Sequence, residues 1–300
     1  MRVDSLSDLE FFVQLAQAGS LAATARGQGV APSTVTKRLA ALERRLNVRL
    51  VNRTTRRMSL TVEGAAFLRE GSRVLEDLKE LEQRLAGATH APRGLLRVNA
   101  TLGFGREHIA PLVSKFAQKY PDVEVLLHLS DRPLNLIEQG FDVAIRIGEL
   151  PDQRLTARKI ADNERVLCAA PAYLARAGEP VRPADLQTHR CLMIRENDDT
   201  VGVWRLEHGS QQESVKLRSP MSTNDGAVAL SWALDGQGIL MRSEWDTVRY
   251  LRSGRLVRVL PDWSAPRADI MAVFPTRQHL SARTRAFVDH VVEHFSHFVF

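Results

Sequence analysis

Residues 20–57 read SLAATARGQGVAPSTVTKRLAALERRLNVRLVNRTTRR, and the spacing within them predicts two short helices, a turn between them and a basic hairpin. Leu21 and Ala25 give the first helix an apolar side, Gly29 marks its end, and Val30 is expected to pack beneath the turn. Pro32 suits the first turn of the second helix, where its missing N–H leaves no bond unmade. Val35, Leu39, Leu42 and Leu46 recur at spacings of four, three and four, one apolar stripe of an α-helix. At 100° per residue the opposite side carries Ser33, Lys37, Ala40 and Arg44, flanked by Thr34, Thr36 and Arg38. So small, polar and cationic a face can lie flush in a DNA major groove, with Ser, Thr, Lys and Arg reaching base edges and phosphates.

A plain amphipathic helix pair with a solvated basic face has the same periodicity, so the distribution of charge decides between the two readings. The chain has 300 residues, 41 Lys and Arg, 35 Asp and Glu, and a net charge of +6. Ten of the basic residues but only four of the acids fall in the first 60, and the remaining 240 residues hold 31 of each sign. The whole surplus therefore sits on the helix–turn–helix head, which is the electrostatic pattern of phosphate binding.

Upstream, Ser7 and Glu10 have the spacing of a capping box, and Leu9, Phe12, Val13 and Ala16 follow helical periodicity until Gly19. Downstream, Val48, Leu50 and Val51 and then Met58 and Leu60 are short strand-like runs on either side of NRTTRR. That is a wing, with Arg53, Thr54, Arg56 and Arg57 at or near its tip, where a guanidinium can reach the minor groove or its flanking phosphates. Thr61 is placed to cap a long helix over residues 62–87. Phe67, Gly71, Val74, Leu78, Leu81 and Leu85 then form a heptad seam, either for packing on the head or for pairing with a second copy. Two copies would hold two winged modules one helical turn apart on a palindrome. Residues 86–94, AGATHAPRG, have the composition of a linker.

From residue 95 the pattern becomes β/α. Strands are expected at 95–100, 123–129, 142–147, 165–170, 191–195, 215–219, 238–241 and 270–274. Helices are expected at 105–120, 134–139, 172–177, 225–235, 244–251 and 281–298. Strands this apolar, separated by helices, imply a parallel sheet covered on both faces. Ligands of such folds bind outside the carboxyl ends of the strands. There the chain places TLGFG (101–105) and STNDG (222–226), each opening a helix. Thr101, Thr223 and Asn224 can cap, the N–H groups behind them favour an anion, Arg146 can clamp a carboxylate and Ser130 adds a donor. Alternatively these residues only cap helices, and Arg146 pairs with an acid such as Glu149.

Ala25, Gly29, APSTVTKRLAALERRL, VRLVNRTTRRMSLT and TVEG, followed by FDVAIRIG, STNDGAVAL and LDGQGI, resemble the LysR-type transcriptional regulators over essentially the whole chain. One position departs: Ala31 stands where the family usually has Ser, removing a helix cap of about 1 kcal/mol and the phosphate contact such a hydroxyl would offer. The resemblance implies an all-α winged helix-turn-helix over residues 1–61, a linker and dimerisation helix with hinge over 62–92, and a two-lobe, Rossmann-like, periplasmic-binding-protein-like α/β regulatory domain over 93–300. Lobe I would take about 93–162 and 267–300, and lobe II about 163–266, with crossings near 161–165 and 262–268. It places an effector site at Thr101, Leu102, Gly103, Phe104, Ser130, Arg146, Thr223 and Asn224. The implied partners are double-stranded DNA with an inverted-repeat operator, a small organic acid, and further copies of the chain as dimer or tetramer.

Other classes find little support. A solute-binding protein would share two lobes but needs export and no cationic head, and acids within VDSLSDLEFF spoil an apolar leader. No apolar run approaches a membrane span, so a cytoplasmic protein is expected. An enzyme would need a constellation that is missing: GFG lacks the rest of a dinucleotide fingerprint, and no P-loop, nucleophile elbow or paired CxxC occurs. No cofactor is expected. His290, His294 and His297 read as a solvated helix face rather than metal ligands, and Cys168 and Cys191 as buried structural thiols. Trp204, Trp232, Trp245 and Trp263 read as packing within the lobes.

Overall fold

The computed structural model describes residues 4–53, 58–85, 91–130, 136–148, 155–195, 202–217, 219–276 and 280–296. Two compact units divide the chain, residues 1–90 and 91–300.

The first unit runs α1 (Asp4–Ala18), α2 (Leu21–Gln28), α3 (Pro32–Leu46), β1 (Val51–Arg53), β2 (Met58–Leu60) and α4 (Val62–Leu85). Phe11, Phe12 and Leu15 of α1 meet Ala25 of α2 and Val35, Leu39 and Leu42 of α3 in one buried core. Gly29 ends α2 at φ 66°, and the N–H groups of Gly29 and Val30 bond to Arg26 and Ala25 carbonyls, a Schellman turn. Asn47 ends α3 in the same way at φ 55°. Two local expectations fail here. Val30 is 39% exposed, because its N–H completes the turn while its side chain points outward. Ser7 is not a cap: α1 begins by Asp4, and the Ser7 hydroxyl accepts from Arg38 instead.

The second unit begins with β3 (Gly94–Ala100), α5 (Leu102–Phe104), a π-helical turn at Gly105–Ile109 and α6 (Ala110–Lys119). It continues through β4 (Val123–Leu129), α7 (Leu136–Gln139), β5 (Val143–Ile147), β6 (Leu155–Ala161), β7 (Arg165–Ala169), α8 (Pro171–Ala177), a 3-10 turn at Pro183–Thr188 and β8 (Cys191–Ile194). A hairpin follows, β9 (Gly202–His208) and β10 (Gln211–Leu217), and then β11 (Met221–Thr223), α9 (Gly226–Leu234), β12 (Ile239–Ser243), α10 (Glu244–Arg252), β13 (Val257–Arg258), β14 (Ile270–Pro275) and α11 (Ala282–Ser296).

Among the described residues these strands form two five-stranded sheets, β4-β3-β5-β14-β6 and β11-β8-β12-β7-β13, besides the hairpin. Both sheets are mixed, not parallel. β3 runs parallel to β4 and β5, but β14 is antiparallel to β5 and β6. In the other sheet β8 is parallel to β11 and β12, while β7 is antiparallel to β12 and β13. The physical reason is the pair of crossings: β7 and β14 enter straight from the other sheet, without the crossover helix that keeps consecutive strands parallel. Four strands escaped the sequence pattern, β6, β9, β11 and β13, and β10 begins earlier than the expected 215–219. β6 (LTARKIA) is an edge strand with four exposed positions, and β9–β10 turns at Gly209, φ 59°. Alternate faces are covered separately, with Leu167 and Ala169 toward the hairpin and α8, and Cys168 and Ala170 toward α9.

Asn163, buried in the first crossing, ties the two crossings together. Its side-chain Nδ2 donates to Ala268 O (2.9 Å) and Ser243 Oγ (3.2 Å), and its backbone carbonyl accepts from Ala268 N–H (3.4 Å). Trp245 ties the sheets themselves: it leaves the end of β12 in one sheet and is buried in the core of the other, edge-on to Phe104 with ring centroids 5.3 Å apart.

Candidate nucleic-acid interface and ligand cleft

α3 buries its apolar stripe and presents Ser33, Thr34, Lys37 and Arg44 to solvent, with Ala40 keeping the middle of that face low. Ala31 sits at the N-cap position without a side-chain bond, and Pro32 opens the helix. The Thr36 hydroxyl donates to Pro32 O (3.0 Å). Arg38 goes elsewhere. Its Nη2 donates to Ser7 O (2.9 Å), its guanidinium lies 4.7 Å from the Phe11 ring centre, and Asp8 stands 3.9 Å from Nε. Asp8 also holds Arg45 at 2.9 Å. That leaves Arg26, Lys37, Arg44 and Arg49 exposed, with no carboxylate in ion-pair range among the described residues.

The wing pairs Val51 with Leu60 and Arg53 with Met58. Thr54, Arg56, Arg57 and the Arg53 side chain lie outside the described residues. The root of the wing is fixed by Glu43, whose Oε1 accepts from the N–H groups of Leu50 (2.9 Å) and Val51 (3.2 Å). TVEG has a mechanical explanation. Thr61 Oγ1 accepts from Gly64 N–H (2.9 Å), and Leu50 O accepts from Thr61 N–H (3.0 Å). A Cβ on Gly64 would stand 1.9 Å from that same carbonyl oxygen, so only glycine fits.

The seam of α4 divides. Phe67 packs edge-on to Phe12 at 5.4 Å, and Gly71 lies against Leu9, so both serve the head itself. Val74 and Leu81 are 48% and 45% exposed, Leu78 is half-buried, and the Leu85 side chain lies outside the described residues.

In the second unit the carboxyl ends of β3 and β11 bring 101–104 and 223–226 together, and α5 touches α9. Thr101, Leu102 and Gly103 are half-buried, whereas Phe104 is fully buried in the aromatic cluster with Trp245, His108 and Phe295. Thr223 Oγ1 accepts from Asp225 N–H (3.0 Å), Asp225 caps α9 through Ala227 N–H (2.7 Å), and Asn224 is exposed. Arg146 is half-buried beside this edge and donates from Nη1 to Ser130 O (3.3 Å), so it meets the Ser130 backbone rather than its hydroxyl. Glu149 lies outside the described residues. No motif had marked Arg242 and Asp246, which are paired at 2.6 Å and share this edge; the only signal was an i, i+4 opposite-charge pair at the end of an apolar strand.

Both thiols are buried in sheet two, and burial pushes Cys168 and Cys191 up to about 12. His290 and His294 are not a solvated face. His290 packs on Phe116 with centroids 5.6 Å apart, His294 on Phe295 at 5.2 Å, and burial lowers the pKa of each; His297 lies outside the described residues.

Residues 6–65 match the bacterial regulatory helix-turn-helix protein family, lysR, and residues 89–296 match the LysR substrate binding domain. The chain belongs to the LysR-type transcriptional regulators. This LysR-type regulator is 39% identical over 291 residues to the HTH-type transcriptional regulator DmlR of Escherichia coli K12, covering 97% of this chain and 94% of that one. It is 38% identical over 283 residues to the transcriptional activator TtdR of the same strain, covering 94% and 91%. Among solved structures it is similar to full-length AphB of Vibrio cholerae (30% identity, TM-score 0.60, covering 98% of this chain and 100% of that one). It is likewise similar to CrgA of Neisseria meningitidis (31%, TM-score 0.61, 96% and 98%). The regulator therefore binds DNA through its N-terminal head and carries an effector-binding domain later in the chain, and its family is one of transcription factors, not enzymes. No helix among the described residues is long and apolar enough to cross a membrane.

Proposed function

We propose that this regulator reads an inverted-repeat operator as a dimer or tetramer, and that a small organic acid bound between its two sheets shifts which operator-bound arrangement it favours. Ser33, Thr34, Thr36 and Lys37 orient α3 in the major groove and contact base edges, while Arg44 and the wing residues Arg53, Thr54, Arg56 and Arg57 supply phosphate contacts. Arg38, tied to α1, sets the angle between the first and third helices. Residues 62–92 join head to regulatory domain, and Val74, Leu78, Leu81 and Leu85 face the second copy. The observation that carries the DNA reading is the exposed cationic surface of Lys37, Arg44 and Arg49, without an ion-pair partner among the described residues, on a head that holds the chain's entire surplus charge.

The ligand reading rests on the converging helix starts at Thr101 and Thr223–Asn224, whose N–H groups favour an anion, and on Arg146 beside Ser130. A ligand shifts the arrangement only by its difference in affinity between the alternatives. Fluorescence anisotropy with duplex DNA at two salt concentrations tests the first part: binding must weaken steeply with salt. A thermal-shift screen of organic acids tests the second, and full retention of acid response in Arg146→Ala would remove Arg146 from the site.

A further inference from the structure

Arg242, the fourth residue of β12, extends between the two helix starts and touches both. Its guanidinium lies flat on Gly226, the first residue of α9: a Cβ there would stand 2.1 Å from Nη1 and 2.2 Å from both Cζ and Nη2. The same group reaches the other sheet, where a Cβ on Gly103 would lie 3.2 Å from Nη2 and 3.3 Å from Trp245 Cη2. Trp245 forms the floor, its ring centre 5.5 Å from the Arg242 guanidinium carbon. Nε donates to Asp246 Oδ2 at 2.6 Å, with both side chains largely buried (14% and 8% exposed). Among the described residues neither Nη1 nor Nη2 donates a hydrogen bond.

The arrangement is electrostatically incomplete. A cation is held against the start of a helix, where the macrodipole is positive and anions are favoured. One carboxylate offsets it, and that carboxylate engages only Nε. Four Nη hydrogens in a planar fork stay without an acceptor in a half-dry site, and such a fork matches a carboxylate in two-pronged geometry. Glycine at both 103 and 226 makes the room, since any side chain at 226 would displace the guanidinium.

We propose that Arg242 is the residue that reads the effector's acid group: a carboxylate entering between Gly103 and Gly226 accepts from Nη1 and Nη2 while Asp246 keeps Nε. The proposal rests on the reading of this cleft as an organic-acid site and adds which side chain recognises the acid. Arg146 differs in kind, because its Nη1 is already engaged by Ser130 O within one sheet. Of these two arginines it is Arg242 that touches both sheets, so a ligand bound to it reports on their separation.

The full-length protein is titrated with acetate, succinate and benzoate and with their neutral amides at constant ionic strength. Emission of Trp245, isolated by comparison with Trp245→Phe, and melting temperature are recorded. Wild type responds saturably to at least one acid and not to its amide. Arg242→Gln weakens that acid at least tenfold, Arg242→Lys weakens it less, and Asp246→Asn binds it at least as tightly as wild type. If Arg242→Gln titrates like wild type while Arg146→Gln or Thr101→Val loses the response, Arg242 is not the reader and the cleft reading survives. If no acid gives a saturable response in wild type, both fall. Should Arg242→Gln not fold, Asp246→Asn decides alone: a folded variant that has lost the acid overturns the proposal.

Discussion

Lys37 and Arg38 carry the same charge on adjacent positions of α3, and a 100° step of the helix sends them to different tasks. Lys37 stands exposed with no ion-pair partner among the described residues, whereas Arg38 is bound to Ser7, Asp8 and the Phe11 ring. Lys37→Ala is therefore expected to reduce the slope of log K against log salt by about 1 for duplex DNA. Arg38→Ala should leave that slope intact and destabilise the head by about 1 kcal/mol, the worth of a hydrogen bond and a partly exposed cation–π contact. Equal losses of slope in anisotropy titrations would contradict the division. The charge at residue 38 is legible from sequence, but its destination is not, because the capping-box spacing assigns Ser7 to a helix start, while α1 begins earlier and leaves its hydroxyl to Arg38. The thiols were legible, since apolar neighbours on alternating strand positions imply burial; a thiol reagent at pH 8 should find neither Cys168 nor Cys191 reactive until the protein unfolds.

At the scale of elements, α4 is one helix with two employers. Its first half closes the head core through Phe67 and Gly71, and its second half exposes Val74 and Leu81. The heptad spacing was visible from sequence, yet spacing alone cannot say which partner covers each position. Phe67→Ala should destabilise the head by about 2 kcal/mol, less than a fully buried Phe because the ring is only half-buried. Val74→Asp with Leu81→Asp should instead leave the head's melting temperature within about 1 °C and shift sedimentation toward monomer; an unchanged oligomer would place the dimer contact elsewhere. Strand directions in the second unit were less legible for a related reason. Apolar runs announce burial on both faces, but direction is set by how the chain enters each sheet, and β7 and β14 enter through crossings that hold no helix. β6 and β9 were missed because a polar edge strand and a half-exposed hairpin carry too little apolar periodicity to register.

Across the whole molecule the two units divide the electrostatics: the surplus positive charge belongs to the head, and among the described residues the histidines and thiols whose pKa values burial shifts belong to the regulatory unit. His108, His290 and His294 all have pKa values lowered from 6.5, each chiefly by burial. For His108 the nearby Glu107 and Asp246 pull the other way and His294 adds to the lowering, so burial wins over two carboxylates. The sign of the linkage follows. Between the lowered folded values and 6.5 the unfolded chain binds more protons than the folded one, so stability rises with pH through that window and is lost on acidification. Carboxylates do not interfere there, since the shifted ones, such as Asp269 beside Lys159, are lowered from 3.8 and titrate far below. The melting temperature of the regulatory unit should therefore fall as pH drops from 7.5 to 5.5, while His108→Gln should flatten part of that dependence. His108 packs tilted against Phe104 and edge-on to Trp245 behind the cleft, so its protonation would place a cation inside the cluster that joins the two sheets. A melting temperature that is flat or rises toward pH 5.5 would mean that the imidazoles are hydrated in solution and that this aromatic junction is open rather than packed.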